Sequence, residues 1–412
     1  MKNWTKDVFF VAILNGIIGI AFIFLVSFLF SNNKKKINWR TVIIGFVIQF
    51  LFALAALKWS FGKFILSKIA LGVNAAISYA NEGISFIFGS LAKDSSIFAV
   101  NVLTIIIFIS AIVSILYYFG IMQFVIKIIG GALAKLLGTS KLETISATAN
   151  IFLGQTEAPL MIKPYVERLS QSELFSVMVG GLASVSGSIL VGYSLLGVPI
   201  EYLVSASFMA APAGLVISKI MYPEIHKAKV NEEVIMEKDN SANFVDAAAK
   251  GASEGLNLVL NVAAMLLAFV ALIALINGII GTIGSWFGIS NLSLQVILGY
   301  VFAPIAAIIG VPWKEAVEAG SFIGQKIILN EFVAFTSLSP RLSVLSAKTV
   351  AIVTFSLCGF ANISSIAILI GGIGGMAPSR KHDIAKLGAK AVLAGTLANL
   401  LSATIAGILF SF

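Results

Sequence analysis

Long uninterrupted apolar stretches organise this chain, at about 9–30, 41–59, 97–127, 173–196, 200–221, 254–287, 342–370 and 385–410. A helix rises 1.5 Å per residue, so about 20 residues cover a hydrocarbon core of about 30 Å. The stretches run continuously apolar, whereas the strands of a membrane barrel alternate polar and apolar. The pattern therefore predicts an all-α polytopic membrane protein of about eight transmembrane helices. Residues 61–91 differ, because Lys63, Lys68, Asn74, Asn81 and Glu82 break the apolar run. They read as an amphipathic, interfacial helix lying on the outer surface. Residues 138–172 and 312–340 are too polar to face lipid and too apolar for ordinary loops. Each predicts a re-entrant helical hairpin, since non-helical backbone at membrane depth must be buried in protein or line a wet cavity. Residues 292–310 are apolar but contain Pro304, and 223–246 is the one long hydrophilic stretch, placed in the cytoplasm by the span count.

The two hairpins carry polar tips, Gly154-Gln155-Thr156-Glu157-Ala158-Pro159 and Asn330-Glu331-Phe332-Val333-Ala334-Phe335. About one helix later each is followed by a break inside a span, Gly181-Leu182-Ala183-Ser184-Val185-Ser186-Gly187-Ser188 and Gly359-Phe360-Ala361-Asn362-Ile363-Ser364-Ser365. The first unit begins from inside and the second from outside, so the repeat is inverted. Paired broken helices in an inverted repeat point to a secondary transporter with its site near the membrane midplane. The chain divides accordingly: 1–134 is mostly scaffold, with the first three spans and the interfacial helix. Residues 135–222 form a first transport repeat, 223–311 a cytoplasmic loop and scaffold span, and 312–412 a second transport repeat.

Composition agrees with this reading. Of 412 residues, 58% are hydrophobic and 11% charged, against about 25% charged in soluble proteins. The net charge of +9 sits largely in short loops beside spans, which sets orientation and implies no nucleic acid. Lys34, Lys35, Lys36 and Arg40 hold one loop in the cytoplasm, and Arg380, Lys381 and His382 another. Both termini then fall outside. Lys2 and Lys6 precede a first run too long for a signal-peptide core, so it reads as a retained span. The single cysteine, Cys358, allows no intrachain disulfide, and His226 and His382 lie too far apart for a His-based metal site. Gly372-Ile373-Gly374-Gly375 resembles a dinucleotide fingerprint, but it follows a membrane helix with no βαβ unit. Neither a Walker A loop nor an H-E-x-x-H motif is present, which argues against ATP-driven pumping and zinc proteolysis.

The candidate chemistry lies in the tips and the breaks. A carboxylate at membrane depth costs at least about 2.5 kcal/mol, so Glu157 and Glu331 are rarely idle there. Gln155, Thr156 and Glu157 can read the edge of a flat heterocycle, and Asn330 and Glu331 can hold vicinal sugar hydroxyls. Unwound carbonyls at the breaks are natural ligands for Na+ or substrate, although mid-span Gly and Ser also serve close helix packing. An intramembrane enzyme using Glu157 and Glu331 as acid and base on a lipid-linked nucleotide is a rival, but no phosphate-binding feature accompanies it. A channel is another, less suited to buried paired polar clusters.

Gly154 to Leu160, Asn330 to Ala334 and Cys358 to Ile366 resemble the signature segments of bacterial concentrative nucleoside transporters, and the likeness covers essentially the whole chain. The resemblance implies a homotrimer in the bacterial inner membrane. Each subunit would have eight transmembrane helices, an interfacial helix and two opposed hairpins, and would import nucleosides such as uridine, cytidine or adenosine with Na+ by an elevator-like cycle. It implies that Gln155, Thr156 and Glu157 contact the nucleobase, with Ile189 lining the pocket. Glu331 and Asn362 would take the ribose hydroxyls, Ser365 the 5′ end and Phe360 the ribose face. The Asn150 and Ser184 side chains and the Val179 and Val185 carbonyls would hold Na+. Gly180 departs from the family pattern where a sodium-coupled relative can carry a hydroxyl, which keeps H+ coupling open as the alternative.

Overall fold

The computed structural model describes residues 2–94, 97–225, 234–236, 239–289 and 291–411, with side chains from Ile13 onward. His226 and much of the predicted cytoplasmic loop lie outside the described residues. Among them the protein is helical throughout, with no strand.

Helix α1 (Lys2–Leu29) leads through a short turn bearing Lys34, Lys35 and Lys36 into α2 (Trp39–Leu57) and α3 (Ser60–Phe88). Asn38 starts α2 by accepting a hydrogen bond from the Thr41 amide. A π-helical turn, Ala99–Leu103, runs into α4 (Thr104–Tyr118). The predicted single span at 97–127 is instead two helices. Gly120 adopts φ +75°, a left-handed conformation that stops α4 before α5 (Ile121–Leu137) begins.

Two capping boxes open the next elements. Ser140 with Glu143 starts α6 (Lys141–Ala149), and Ser170 with Glu173 starts α7 (Gln171–Ala183). In each, the serine accepts from the amide three residues on while the glutamate takes the serine's own amide. Between them lies a 3₁₀ arm, Ala158–Arg168, that packs back on α6. Pro159 and Pro164 cannot donate to an α-helical ladder, which accounts for the irregular second arm. Helix α8 (Gly187–Leu195) continues α7 beyond a break at 184–186, and α9 (Ile200–Met221) returns. The apolar stretch at 254–287 belongs to a longer continuous helix, α10 (Phe244–Trp286), of 43 residues. Helix α11 (Leu294–Ile308) follows and meets α12 (Trp313–Ile328) at 116°. Helix α13 (Glu331–Leu338) doubles back on α12, where Ser337 Oγ donates to Gln325 Oε1 at 2.8 Å. The second broken span is α14 (Ala347–Leu357) with α15 (Ser365–Met376), and α16 (Lys381–Leu409) closes the chain.

Seven helical stretches among the described residues are long and apolar enough to cross a membrane, and α11 with α12 would make an eighth if counted as one bent span. Burial sorts them into layers. In the apolar windows of α7–α8 and α9, 94% of residues are buried and in α16 89%, against 11% in α3 and α10. The first break therefore sits in the innermost layer, and Gly359 to Asn362 of the second are buried as well. On the outside, α10 lies against α4 through Gly251 and Gly255. A Cβ at Gly255 would come within 2.8 Å of Ile107 Cα, and one at Gly251 within 2.7 Å of the Ser110 carbonyl oxygen. Small residues one turn apart let two membrane helices approach this closely.

The inner crossing depends on a similar approach. A Cβ on Gly395 of α16 would stand 2.8 Å from Leu182 Cβ, beside the first break, and 3.1 Å from Ala361 Cβ, within the second. Overpacking of this kind costs about 1–3 kcal/mol. Gly395→Ala is expected to lower the thermal midpoint of the detergent-solubilised protein. An unchanged midpoint would show that α16 is free to shift.

Candidate functional site

The tip of the first hairpin is built by its own carboxylate. After α6 the chain turns so that the Gly154 amide donates to Glu157 Oε2 at 3.1 Å, while the Glu157 amide donates back to the Gly154 carbonyl at 3.1 Å. Gln155 is held against α7, where a Cβ on Gly181 would meet Gln155 Cβ at 2.8 Å. Thr156 presses on α15 of the other half, its Cγ2 lying 2.7 Å from where a Cβ on Gly372 would stand. The apparent dinucleotide fingerprint thus includes a glycine that makes room for a threonine. Gln155 is buried, yet its Oε1 has no hydrogen-bond partner among the described residues.

Glu157 faces a cavity of about 230 Å³. Its walls include Phe152 and Ser188 beside the tip, Tyr117 from α4 and Glu254 from α10, and its mouth carries Asp239 and Lys250. Asp239 and Lys250 are 3.2 Å apart. Burial pushes the Asp239 carboxyl up, but hydrogen bonds from Ser241 and Lys250 outweigh it and hold the group below the ordinary range.

The second polar group is a closed network. Glu331, in the first turn of α13, accepts from the Tyr193 hydroxyl at 3.1 Å and from Asn362 Nδ2 at 3.1 Å. Asn362 Oδ1 in turn accepts from the Ser365 amide at 2.9 Å and from its hydroxyl at 3.0 Å. Glu331, Asn362 and Ser365 are all buried. Asn330 is committed elsewhere, its Oδ1 capping α13 at the Val333 amide, 2.8 Å away. Ile189 lies buried at the start of α8, and the Phe360 amide donates to the Ser184 carbonyl at 3.2 Å, so the two breaks touch directly. Of the eight residues expected at the substrate, Glu157 alone lines the cavity described above.

The residues expected around Na+ gather where α6 meets α7. Asn150 Nδ2 donates to the Ser146 carbonyl at 2.9 Å, which fixes the amide and leaves Oδ1 buried without a partner among the described residues. Gly180 lies against it: a Cβ there would be 3.5 Å from Asn150 Nδ2 and 3.3 Å from Ala147 Cα. Ser184 Oγ reaches back to the Gly180 carbonyl at 3.0 Å, and Val179 and Val185 are fully buried. A buried acceptor left unpaired costs about 1–3 kcal/mol. An all-oxygen donor set suits a hard cation, so these residues fit the ion.

Three functional neighbours escaped the sequence reading. Tyr193 touches Glu331 and stacks on Phe335 with ring centroids 4.3 Å apart. Asn399 of α16 donates to the Ala183 carbonyl at 2.6 Å and to that of Cys358 at 3.1 Å, joining the two breaks. Lys326 of α12 donates to Asn399 Oδ1 at 2.9 Å. An isolated amide within the long apolar run of α16 is the one signal that could have marked Asn399. A further buried pair, Glu143 with Lys219 at 2.6 Å, ties the start of α6 to α9.

An all-helical membrane protein with polar residues gathered at two facing helix breaks has the architecture of a secondary transporter. The model described as Na+ dependent nucleoside transporter C-terminus matches residues 202–407, its N-terminal counterpart matches 18–91, and one described as nucleoside recognition matches 99–199. The chain is 56% identical over 400 residues to the uncharacterized transporter YutK of Bacillus subtilis, covering 96% of this chain and 99% of that one. It is 49% identical over 408 residues to the nucleoside permease NupC of Helicobacter pylori, covering 96% and 97%. The structure of CNTnw in an inward-facing substrate-bound state is similar at a TM-score of 0.91 and 49% identity, over 96% of this chain and 97% of that one. This chain belongs to the Na+ dependent nucleoside transporter family, and it is a transporter, not an enzyme.

Tyr193 supplies a test of the closed network. A hydrogen bond to a charged group is worth about 1.5–3 kcal/mol, so Tyr193→Phe is expected to weaken nucleoside uptake about tenfold in apparent affinity. Concentration-dependent uptake into cells or proteoliposomes measures it, and a wild-type KM would exclude Tyr193 from positioning Glu331.

Proposed function

We propose that the protein imports nucleosides across the bacterial inner membrane by symport with Na+. The observation that carries this reading is the unpartnered Asn150 Oδ1, buried beside Gly180 and within a few residues of the Gln155–Glu157 tip. Asn150, Ser184 and the carbonyls of Val179 and Val185 would hold the ion and fix the tip. A nucleoside bound there would raise Na+ affinity by the same factor as Na+ raises its own. Gln155, Thr156 and Glu157, with Ile189, would take the base, and Glu331, Asn362, Ser365 and Phe360 the ribose. A nucleoside is neutral, so hydrogen-bonding side chains suffice and no anion site is needed.

In this reading both hairpins are re-entrant and α3 lies at the interface. The repeats at 135–222 and 312–412 move as an elevator against a scaffold drawn from 1–134 and 223–311, within a homotrimer whose termini are outside. The dense burial of α7–α8, α9 and α16 against the exposure of α3 and α10 supports an inner moving body and an outer frame. The rival is H+ coupling through a glutamate, for which Glu157 is the candidate exposed to the cavity.

Uptake of labelled uridine with Na+ replaced by choline at fixed pH separates the two. Loss of uptake supports Na+, and undiminished uptake retires it. Two variants refine the result. Asn150→Ala should remove Na+ stimulation, whereas Glu157→Gln, which keeps shape but loses charge, should severely reduce uptake. Near-normal uptake by Glu157→Gln would sink the role given to that residue.

A further inference from the structure

Lys326 belongs to neither the substrate set nor the ion set, yet it is 1% exposed in the last turn of α12. Its surroundings explain why an ammonium stands there. Helices α7 and α14 end at Ala183 and Leu357, and their C-termini concentrate negative partial charge. The Ala183 and Cys358 carbonyls, one from each end, both accept from Asn399 Nδ2. Asn399 Oδ1 is turned the other way and accepts from Lys326 Nζ at 2.9 Å. Glu331, whose two carboxyl oxygens each accept a hydrogen bond, is the acidic partner that the Lys326 ammonium faces. Among the described residues the groups facing Glu331 are Tyr193 from α8, Asn362 from the second break and Lys326 from α12, of which Lys326 is the cation.

The first break presents a similar arrangement, but the buried lysine of that half, Lys219, is taken up by Glu143 at the start of α6. Gly180 stands before Gly181 as Cys358 stands before Gly359. The side chain facing Gly180 is the neutral Asn150, with its unpartnered oxygen. One break thus offers an open acceptor, and the other is already supplied with an ammonium.

We propose that Lys326 is a built-in counter-cation, doing at the second helix break what a bound Na+ does at the first, so that one Na+ accompanies each nucleoside. The ion count rests on the Na+ reading of the Asn150 site; the positioning role of Lys326 does not. Lys326 acts through Asn399 and Glu331 and touches no substrate.

The test measures nucleoside binding by purified full-length protein in detergent as Na+ is titrated. The wild type and Lys326→Arg should bind with similar affinity and a Hill coefficient for Na+ near one. In Lys326→Ala nucleoside affinity should fall about tenfold or more, since a buried charge has lost its partner. Added methylammonium should restore it, or the Na+ dependence should steepen as a second ion enters the vacated place. A structural role alone would move neither. Wild-type affinity in Lys326→Ala would overturn the proposal, as would weakened binding that responds to neither cation. A wild-type Hill coefficient near two would overturn the single ion. If Lys326→Ala does not fold, the double variant with Glu331→Gln, which removes the charge at stake, should give monodisperse protein; failure to do so also counts against the proposal. Should wild-type binding be indifferent to Na+, the Na+ reading fails, and methylammonium rescue of Lys326→Ala in choline still decides the role of Lys326.

Discussion

Two helix ends bridged by one buried amide set the central constraint on this structure. Helices α7 and α14 both stop at the inner crossing, and each leaves carbonyls that no intrahelical donor can reach. The Asn399 amide serves a carbonyl of each, and the Phe360 amide closes on Ser184. Unpaired, such groups would each cost about 1–3 kcal/mol. Helix α16 is therefore a pin through both halves, and it can take that place because Gly359 leaves space for the Asn399 side chain. A Cβ there would come within 2.7 Å of Asn399 Nδ2. The hairpins inherit their positions from the breaks. The Gly187 amide donates to the Phe152 carbonyl at 2.9 Å in one half, and the Ile363 amide donates to that of Ile327 at 3.2 Å in the other.

The two halves use their polar groups differently. In the second, Glu331, Asn362 and Ser365 satisfy one another, with Tyr193 completing the network. In the first, Gln155 and Asn150 each keep a buried oxygen without a donor. Pre-organised groups need little rearrangement when a ligand arrives, whereas open acceptors are stabilised only once something fills them. The first hairpin is thus the half whose energy changes most on binding, and it is also the half whose tip reaches across to α15 through Thr156.

Much of this was legible in the chain because membrane insertion imposes blunt rules. Apolar length marked the spans, polar clusters within them marked both breaks, and polar clusters between them marked the tips around Glu157 and Glu331. What escaped depends on tertiary proximity or on a single dihedral. Asn399 meets Ala183 across 216 residues and Tyr193 meets Glu331 across 138, and nothing local announces either contact. Gly120 looked like one more small residue in an apolar run until its left-handed backbone divided the span. The unbroken course of α10 was hidden by the polar character of its first turns.

Cys358 is the one thiol in the chain, and it is fully buried, its Sγ 3.9 Å from the Leu203 carbonyl oxygen. A maleimide or spin label offered to the folded protein would find no native sulfur to modify. Cysteines introduced at surface positions on α10 and α15 would then carry probes on a silent background. Distances between α10 and α15 could then be compared with and without nucleoside in an otherwise unmutated protein.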